Sequence, residues 1–152
     1  MKNITAIILA AGEGTRMKSS VPKVLHPICG KPMIEYIVDT FNDIGVKKIV
    51  AVVGYKADLV QKKLPGVKCV QQARLLGTGD AVLKTKEVVL KDDTVHSVLI
   101  SYGDVPLLTR ETVKKIIDRH ASTRSACTLL TARLKNPTGY GRVLRSGNDK
   151  IS

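Results

Sequence analysis

The stretch that decides the fold is "ITAIILAAGEGTRMKSSVPK", residues 4–23. Its first seven residues are apolar and partly β-branched, which predicts a buried strand over 4–10. The strand ends in a turn carrying Gly12 and Gly14, and an arginine and two lysines follow at 16, 18 and 23. Two glycines one residue apart after a strand point to a nucleotide loop, but the common templates fail. A Walker A loop needs a second glycine five residues after the first, followed by lysine, and position 17 is Met. The dinucleotide fingerprint fails at the same Met17, where a third glycine would let helix and strand pack closely. The next strand also lacks a terminal acid for a ribose, since "VVGYKAD" places Asp58 in the following helix. These failures argue against a nicotinamide dehydrogenase.

Working outward, short apolar runs alternate with amphipathic ones. Helix "PMIEYIVDTFNDIG" has Pro32 in its first turn and Gly45 as its stop, with Met33, Ile34, Ile37, Val38 and Phe41 on one face. Strand 48–54, helix 57–64 and strand 67–71 come next. Helix 79–90 follows with Thr78 as its expected N-cap, then strand 94–101. Helix 110–122, capped by Thr109, carries Val113, Ile116, Ile117 and His120 on one face, and a strand is expected at 126–134. Such alternation predicts one α/β unit with a mainly parallel sheet, helices on both faces and right-handed crossovers. Ligands of such sheets bind beyond the carboxyl ends of the strands. That places loops 11–23, 72–78 and 102–108 around one site.

Composition narrows the classes. The 152 residues carry 25 Lys and Arg against 13 acids, a formal net charge of +12. That field attracts polyanions. With one Phe, no Trp and four Tyr there is little for single-stranded nucleic acid to stack on. Pairs such as Lys62–Lys63 and Lys114–Lys115 are expected on solvated helix faces, so small phosphorylated ligands are favoured over nucleic acid. No apolar run reaches the roughly 20 residues of a membrane span. The start, with Lys2 ahead of an apolar run, reads as a strand rather than a signal peptide, and a cytoplasmic location is expected. Cys29, Cys69 and Cys127 lack any CxxC spacing and are expected to be buried free thiols. His26, His96 and His120 show no mutual metal spacing, and Asp92–Asp93 read as an exposed loop.

The 9–23 stretch remains a phosphate site. Gly12 and Gly14 let the backbone present N–H groups to an anion. Arg16 adds a planar fork of donors, and Lys23 a compact charge on a segment stiffened by Pro22. Two cations on one loop suit a triphosphate under attack.

Four ordered motifs then carry a resemblance over essentially the whole chain: "LAAGEGTRMKSSVPKVLHPICGKPM" (9–33), "QARLLGTGDAV" (72–82), "YGDVPLL" (102–108) and "NPTGYGR" (136–142). The chain resembles the bacterial sugar-nucleotide pyrophosphorylases. Most similar is the uridyltransferase domain of the bifunctional N-acetylglucosamine-1-phosphate uridyltransferase/glucosamine-1-phosphate acetyltransferases. The resemblance implies a Rossmann-like three-layer nucleotidyltransferase fold. It implies that residues 1–152 form the N-terminal part of that domain, without the acetyltransferase β-helix through which the parent protein would trimerise. The implied activity, in cell-wall precursor synthesis, is uridylyl transfer from UTP to N-acetylglucosamine 1-phosphate with release of pyrophosphate. Two alternatives stay open: UTP binding without turnover, and a thymidylyl or cytidylyl transferase.

Residue by residue, the resemblance assigns Leu9, Ala10, Ala11, Gly12 and Gly14 to the nucleotide. Arg16 would steady pyrophosphate, and Lys23 would face the α-phosphate and the sugar phosphate. Gln72 would pair with uracil through an amide able to donate and accept, beside Gly77 and Thr78. Tyr102 and Gly141 would contact the sugar, and Asp104 would ligate Mg²⁺. The family's further sugar and metal ligands have no counterpart up to "RSGNDKIS", residues 145–152.

Overall fold

The computed structural model describes residues 3–91 and 94–146. Lys2, Asp92, Asp93 and most of "RSGNDKIS" lie outside the described residues. The chain divides into two compact units, Met1–Val113 and Lys114–Ser152.

The first unit is built on four parallel strands: β1 (Ile4–Ala10), β4 (Lys48–Val53), β5 (Lys68–Gln71) and β6 (Ser97–Tyr102), in the order β5-β4-β1-β6. Between β1 and β4 lie the short strands β2 (Pro27–Ile28) and β3 (Lys31–Pro32), and then helix α1 (Met33–Asp43). Further helices are α2 (Ala57–Lys62), α3 (Thr78–Lys84), α4 (Lys86–Leu90) and α5 (Arg110–Thr123). The parallel sheet flanked by helices is the architecture that the alternation of the sequence predicts.

β1 is central because, Thr5 apart, it is apolar throughout. Thr5, Ala6, Ile7, Ile8 and Ala10 are all buried, as a strand paired on both sides and covered on both faces requires. It runs in register with β4 from Thr5–Lys48 to Ala10–Val53, and with β6 from Ile4–Ser97 to Leu9–Tyr102. On one face Ile7, Ala11, Val52, Ala81 and Val89 form a core cluster, with Leu9, Val82 and Val95 packed against it. Helix α1 buries Met33, Ile34, Ile37 and Phe41, while Val38 is half-buried. It stops where Gly45 takes φ +81°, a left-handed conformation in which glycine carries no Cβ penalty.

Several expectations need correction. The stretch 79–90 is two helices, broken at Thr85, whose side-chain hydroxyl bonds the Val82 carbonyl at 2.7 Å. Its N-cap is Gly77 rather than Thr78, and no side chain caps it. Thr109 does cap α5, accepting from the Thr112 N–H at 3.2 Å. Residues 126–134 are not a strand. They are largely exposed, and a strand exists only through ladder partners, none of which they have among the described residues. Cys29 and Cys127 are exposed and only Cys69 is half-buried, burial raising its thiol pKa. Cys29 is exposed because it forms, with Gly30, the turn of the β2–β3 hairpin, at φ +48° and +81°. Both positive angles suit a two-residue hairpin turn.

In the second unit His120 Nδ1 meets Thr128 Oγ1 at 3.0 Å. Asn136 Oδ1 accepts from both the backbone and the hydroxyl of Thr138, holding the turn before Tyr140. Among the described residues no helix is long and apolar enough to cross a membrane.

Phe41 is the bulkiest fully buried side chain. Phe41→Ala is expected to lower the free energy of unfolding by about 3–5 kcal/mol, read from the urea midpoint at unchanged slope.

Candidate active site

Because all four strands of the sheet run the same way, their carboxyl ends emerge on one side. There the first unit holds a cleft of about 280 Å³. Leu9, Ala10, Ala11, Gly12 and Gly14 line it from the end of β1, and Lys23 and Val24 from the segment that follows. Gln72, Leu75, Gly77, Thr78 and Ala81 come from the β5–α3 side, and Tyr102 and Asp104 from the end of β6. Three backbone bonds carry the ladder past the strand ends: Tyr55 N–H to Ala11 O at 3.1 Å, Gln72 N–H to Val53 O at 2.7 Å, and Gly103 N–H to Leu9 O at 2.9 Å.

The two loop glycines differ in role. Gly14 sits at φ +68°, and a Cβ there would lie 2.7 Å from Lys23 Cβ. It is glycine because Lys23 passes directly over it. Gly12 has neither constraint, since nothing lies within 4 Å of where its Cβ would be. The open space beside it faces the cleft, where a ligand's phosphate could approach the backbone.

Lys23 starts a short 3₁₀ turn, Lys23–Leu25, closed by the Leu25 N–H on Pro22 O at 2.9 Å and anchored by buried Val24. Its ammonium donates to Asp104 Oδ2 at 2.5 Å, joining residues 81 apart in sequence. Both side chains are about a third exposed, 35% and 27%. A pair that wet is worth about 0.2–1 kcal/mol, so either partner can be exchanged for a phosphate or a cation at little cost. Asp104 is the one carboxylate lining the cleft, and no group of three or more metal-ligating side chains occurs among the described residues.

Gln72 is 3% exposed. Its amide nitrogen donates to Asp80 Oδ2 at 2.7 Å and to Gly77 O at 3.1 Å. Asp80 also faces Lys84 Nζ at 3.3 Å. The hydrogen bond from Gln72, with Lys84 beside it, lowers the Asp80 carboxyl below its ordinary pKa against an opposing effect of burial.

Two expected residues stand apart. Arg16 lies on the exposed 3₁₀ turn Thr15–Met17 and does not line the cleft. Gly141 belongs to the second unit, exposed, with open space around it. Conversely, Val24, Leu75 and Ala81 line the cleft without having been singled out. Ala81 was legible as the first inward position of an amphipathic helix; half-exposed Leu75 gave no signal.

The fold and the cleft define a class. A family model of the MobA-like NTP transferase domain matches residues 6–148, and the chain belongs to that family. The resemblance carried by the four motifs holds along the chain. It is 48% identical over 149 residues to the bifunctional protein GlmU of Alkaliphilus metalliredigens, covering 97% of this chain and 32% of that protein. It is 43% identical over 152 residues to GlmU of Bacillus cereus, covering 99% and 33%. The chain thus spans about a third of the length of the curated relatives it matches. Among solved structures, a Methanothermobacter nucleotidyl transferase superposes with a TM-score of 0.64 at 25% identity, over 78% of this chain and 58% of that one. HddC of Yersinia pseudotuberculosis, solved with GMP-PN, gives 0.58 at 26%, over 79% and 54%.

The loop geometry separates two substitutions. Gly14→Ala is expected to destabilise the protein by about 1–3 kcal/mol through strain against Lys23. Gly12→Ala is expected to stay within about 0.5 kcal/mol of the parent. Thermal unfolding of both variants checks the contrast.

Proposed function

We propose that the chain is a sugar-1-phosphate uridylyltransferase, taking UTP and N-acetylglucosamine 1-phosphate and releasing pyrophosphate. The observation that carries this reading is the meeting, in one cleft, of the bare 9–14 backbone, the Lys23–Asp104 pair and a buried, oriented Gln72 amide. The similarity to GlmU along nearly the whole chain supports the same substrates.

A phosphate monoester is largely dianionic at neutral pH, its second pKa being about 6. An oxygen of the sugar phosphate attacks the α-phosphorus of UTP, and the bond from that phosphorus to the pyrophosphate oxygen breaks. The nucleophile needs no general base. The protein's task is to hold two mutually repelling anions in line and offset their charge. The 9–14 backbone N–H groups meet the triphosphate, Lys23 lies between the two phosphates, and Arg16, on the exposed turn after that loop, steadies the leaving pyrophosphate. Gln72, Gly77 and Thr78 take the base, and Tyr102 borders the sugar side. Asp104 is the residue to hold Mg²⁺, a hard cation that binds through one or two carboxylates together with phosphate oxygens and water. When bound, such an ion neutralises phosphate charge.

The test is calorimetric titration of the folded chain with UTP and Mg²⁺ against ATP, GTP and CTP. UTP is expected to bind selectively, and Lys23→Ala to weaken it about tenfold or more, as loss of a charge-assisted contact does. Equal binding of all four nucleotides would remove the uridine assignment. No binding by a folded chain would remove the nucleotide site.

A further inference from the structure

The expectation for Gln72 was an amide that both donates and accepts toward a base. The structure leaves it less freedom. Its nitrogen faces Asp80 Oδ2 and the Gly77 carbonyl, at 2.7 and 3.1 Å. A carbonyl oxygen can only accept, and so can an ionised carboxylate, which makes the amide nitrogen the only atom that satisfies both. Each partner takes one of the two amide hydrogens. The Gly77 carbonyl is itself fixed, accepting also from the Ala81 N–H at 3.2 Å as α3 begins. Gln72 therefore has no donor left for a ligand. Its Oε1 has no hydrogen-bond partner among the described residues, and it is not among the buried unpartnered atoms, which are Thr5 Oγ1 and His26 Nε2. It therefore keeps some exposure, on a residue that lines the cleft.

We propose that Asp80 is a positioning residue for base selection, locking the Gln72 amide with its oxygen toward the cleft. The site then takes a pyrimidine whose ring N3 carries a hydrogen, as uracil and thymine do, and turns away cytosine, whose N3 is an acceptor. Against cytosine two acceptors would face one another in a poorly hydrated corner, which a site built on hydrogen bonds rejects more strongly than it would a change of size. This rests on the reading of Gln72 as the base contact. Asp80 need not touch the nucleotide. Its role is to be an acceptor that cannot donate, and an asparagine there, able to do both, would leave only the Gly77 carbonyl to hold the direction of the Gln72 amide.

The experiment measures UTP, CTP and inorganic triphosphate affinities for the parent chain and for Asp80→Asn, Lys84→Ala and Gln72→Ala. In Asp80→Asn the UTP-to-CTP affinity ratio is expected to fall about tenfold or more, the scale of one hydrogen bond reversed, while triphosphate affinity stays unchanged. Lys84→Ala breaks the Asp80–Lys84 pair but not the Gln72–Asp80 bond, and is expected to keep the parent ratio. Should Asp80→Asn not fold, Asp80→Ser makes the same measurement. An unchanged ratio at position 80, with selectivity lost in Gln72→Ala, overturns the positioning role and leaves Gln72 as the base contact. Selectivity intact in Gln72→Ala overturns the base contact and the inference with it. An equal fall in Lys84→Ala assigns the effect to the helix rather than to the amide.

Discussion

Everything functional in this chain depends on a parallel ladder that does not stop where its strands do. Parallel pairing puts every carboxyl end on one side of the sheet, so the loops that leave it are neighbours whatever their separation in sequence. The backbone bonds Tyr55 to Ala11, Gln72 to Val53 and Gly103 to Leu9 extend the pairing by one further step beyond β4, β5 and β6. The residues just past them therefore inherit strand-like positional accuracy. Gln72 is buried because its own N–H is still part of the sheet, and Asp104 stands one residue from a glycine that is. Gly103 is tightly packed, since a Cβ there would lie 3.1 Å from Val24 Cγ1 and would need that side chain to give by a few tenths of an ångström. The same packing that admits only a small residue at 103 sets the turn that presents Lys23 to Asp104.

Charge is organised more sparingly than the net of +12 suggests. Much of the lysine is on exposed surface, including Lys62, Lys63, Lys114 and Lys115. In the cleft a single cation meets a single anion. That balance matters because an empty site lined only with cations would repel itself, whereas Lys23 and Asp104 neutralise each other at 2.5 Å. A wet ion pair is weak enough to be replaced by stronger partners, so it keeps the empty cleft ordered without holding it shut. Arg16 is outside the lining, on an exposed turn, where its charge acts at longer range than a contact.

The sheet and most of the cleft were legible in the sequence because both are written in local patterns. A short, largely apolar run with β-branched residues, closed by a glycine turn, reads as a buried strand, and the glycine loop after it then lies at the strand's end. What escaped depends on partners rather than patterns. Residues 126–134 have the apolar content of a strand, but a strand is a relation between segments, and among the described residues no ladder partner meets them. The break at Thr85 was hidden because threonine is tolerated within helices; only its hydroxyl bond to Val82 O shows the helix ending there. The β2–β3 hairpin escaped because its turn uses Cys29, not the asparagine or aspartate that usually marks two positive φ angles. Asp80 was quoted within a motif and given no role, because its importance lies in which atom of Gln72 it faces, a matter of rotamer and not of spacing.

That last point bears on how such a cleft can discriminate at all. In the proposed function the 9–14 loop would meet phosphate through backbone N–H groups, which every nucleoside triphosphate satisfies equally, so it would supply affinity without choice. Choice has to come from groups whose polarity is fixed before the ligand arrives. A free glutamine is indifferent to the direction of a hydrogen bond, since its amide can turn over at the cost of a rotamer change. Burial at 3% exposure, with both hydrogens engaged by obligate acceptors, removes that indifference. An anionic partner strengthens the effect, because turning the amide would set its oxygen against the Asp80 carboxylate, a like-with-like contact in a poorly hydrated place. An aspartate is ionised at neutral pH in any case, and the lowered Asp80 pKa, set first by the Gln72 hydrogen bond, carries that ionised state and the direction of the bond further into the acid range.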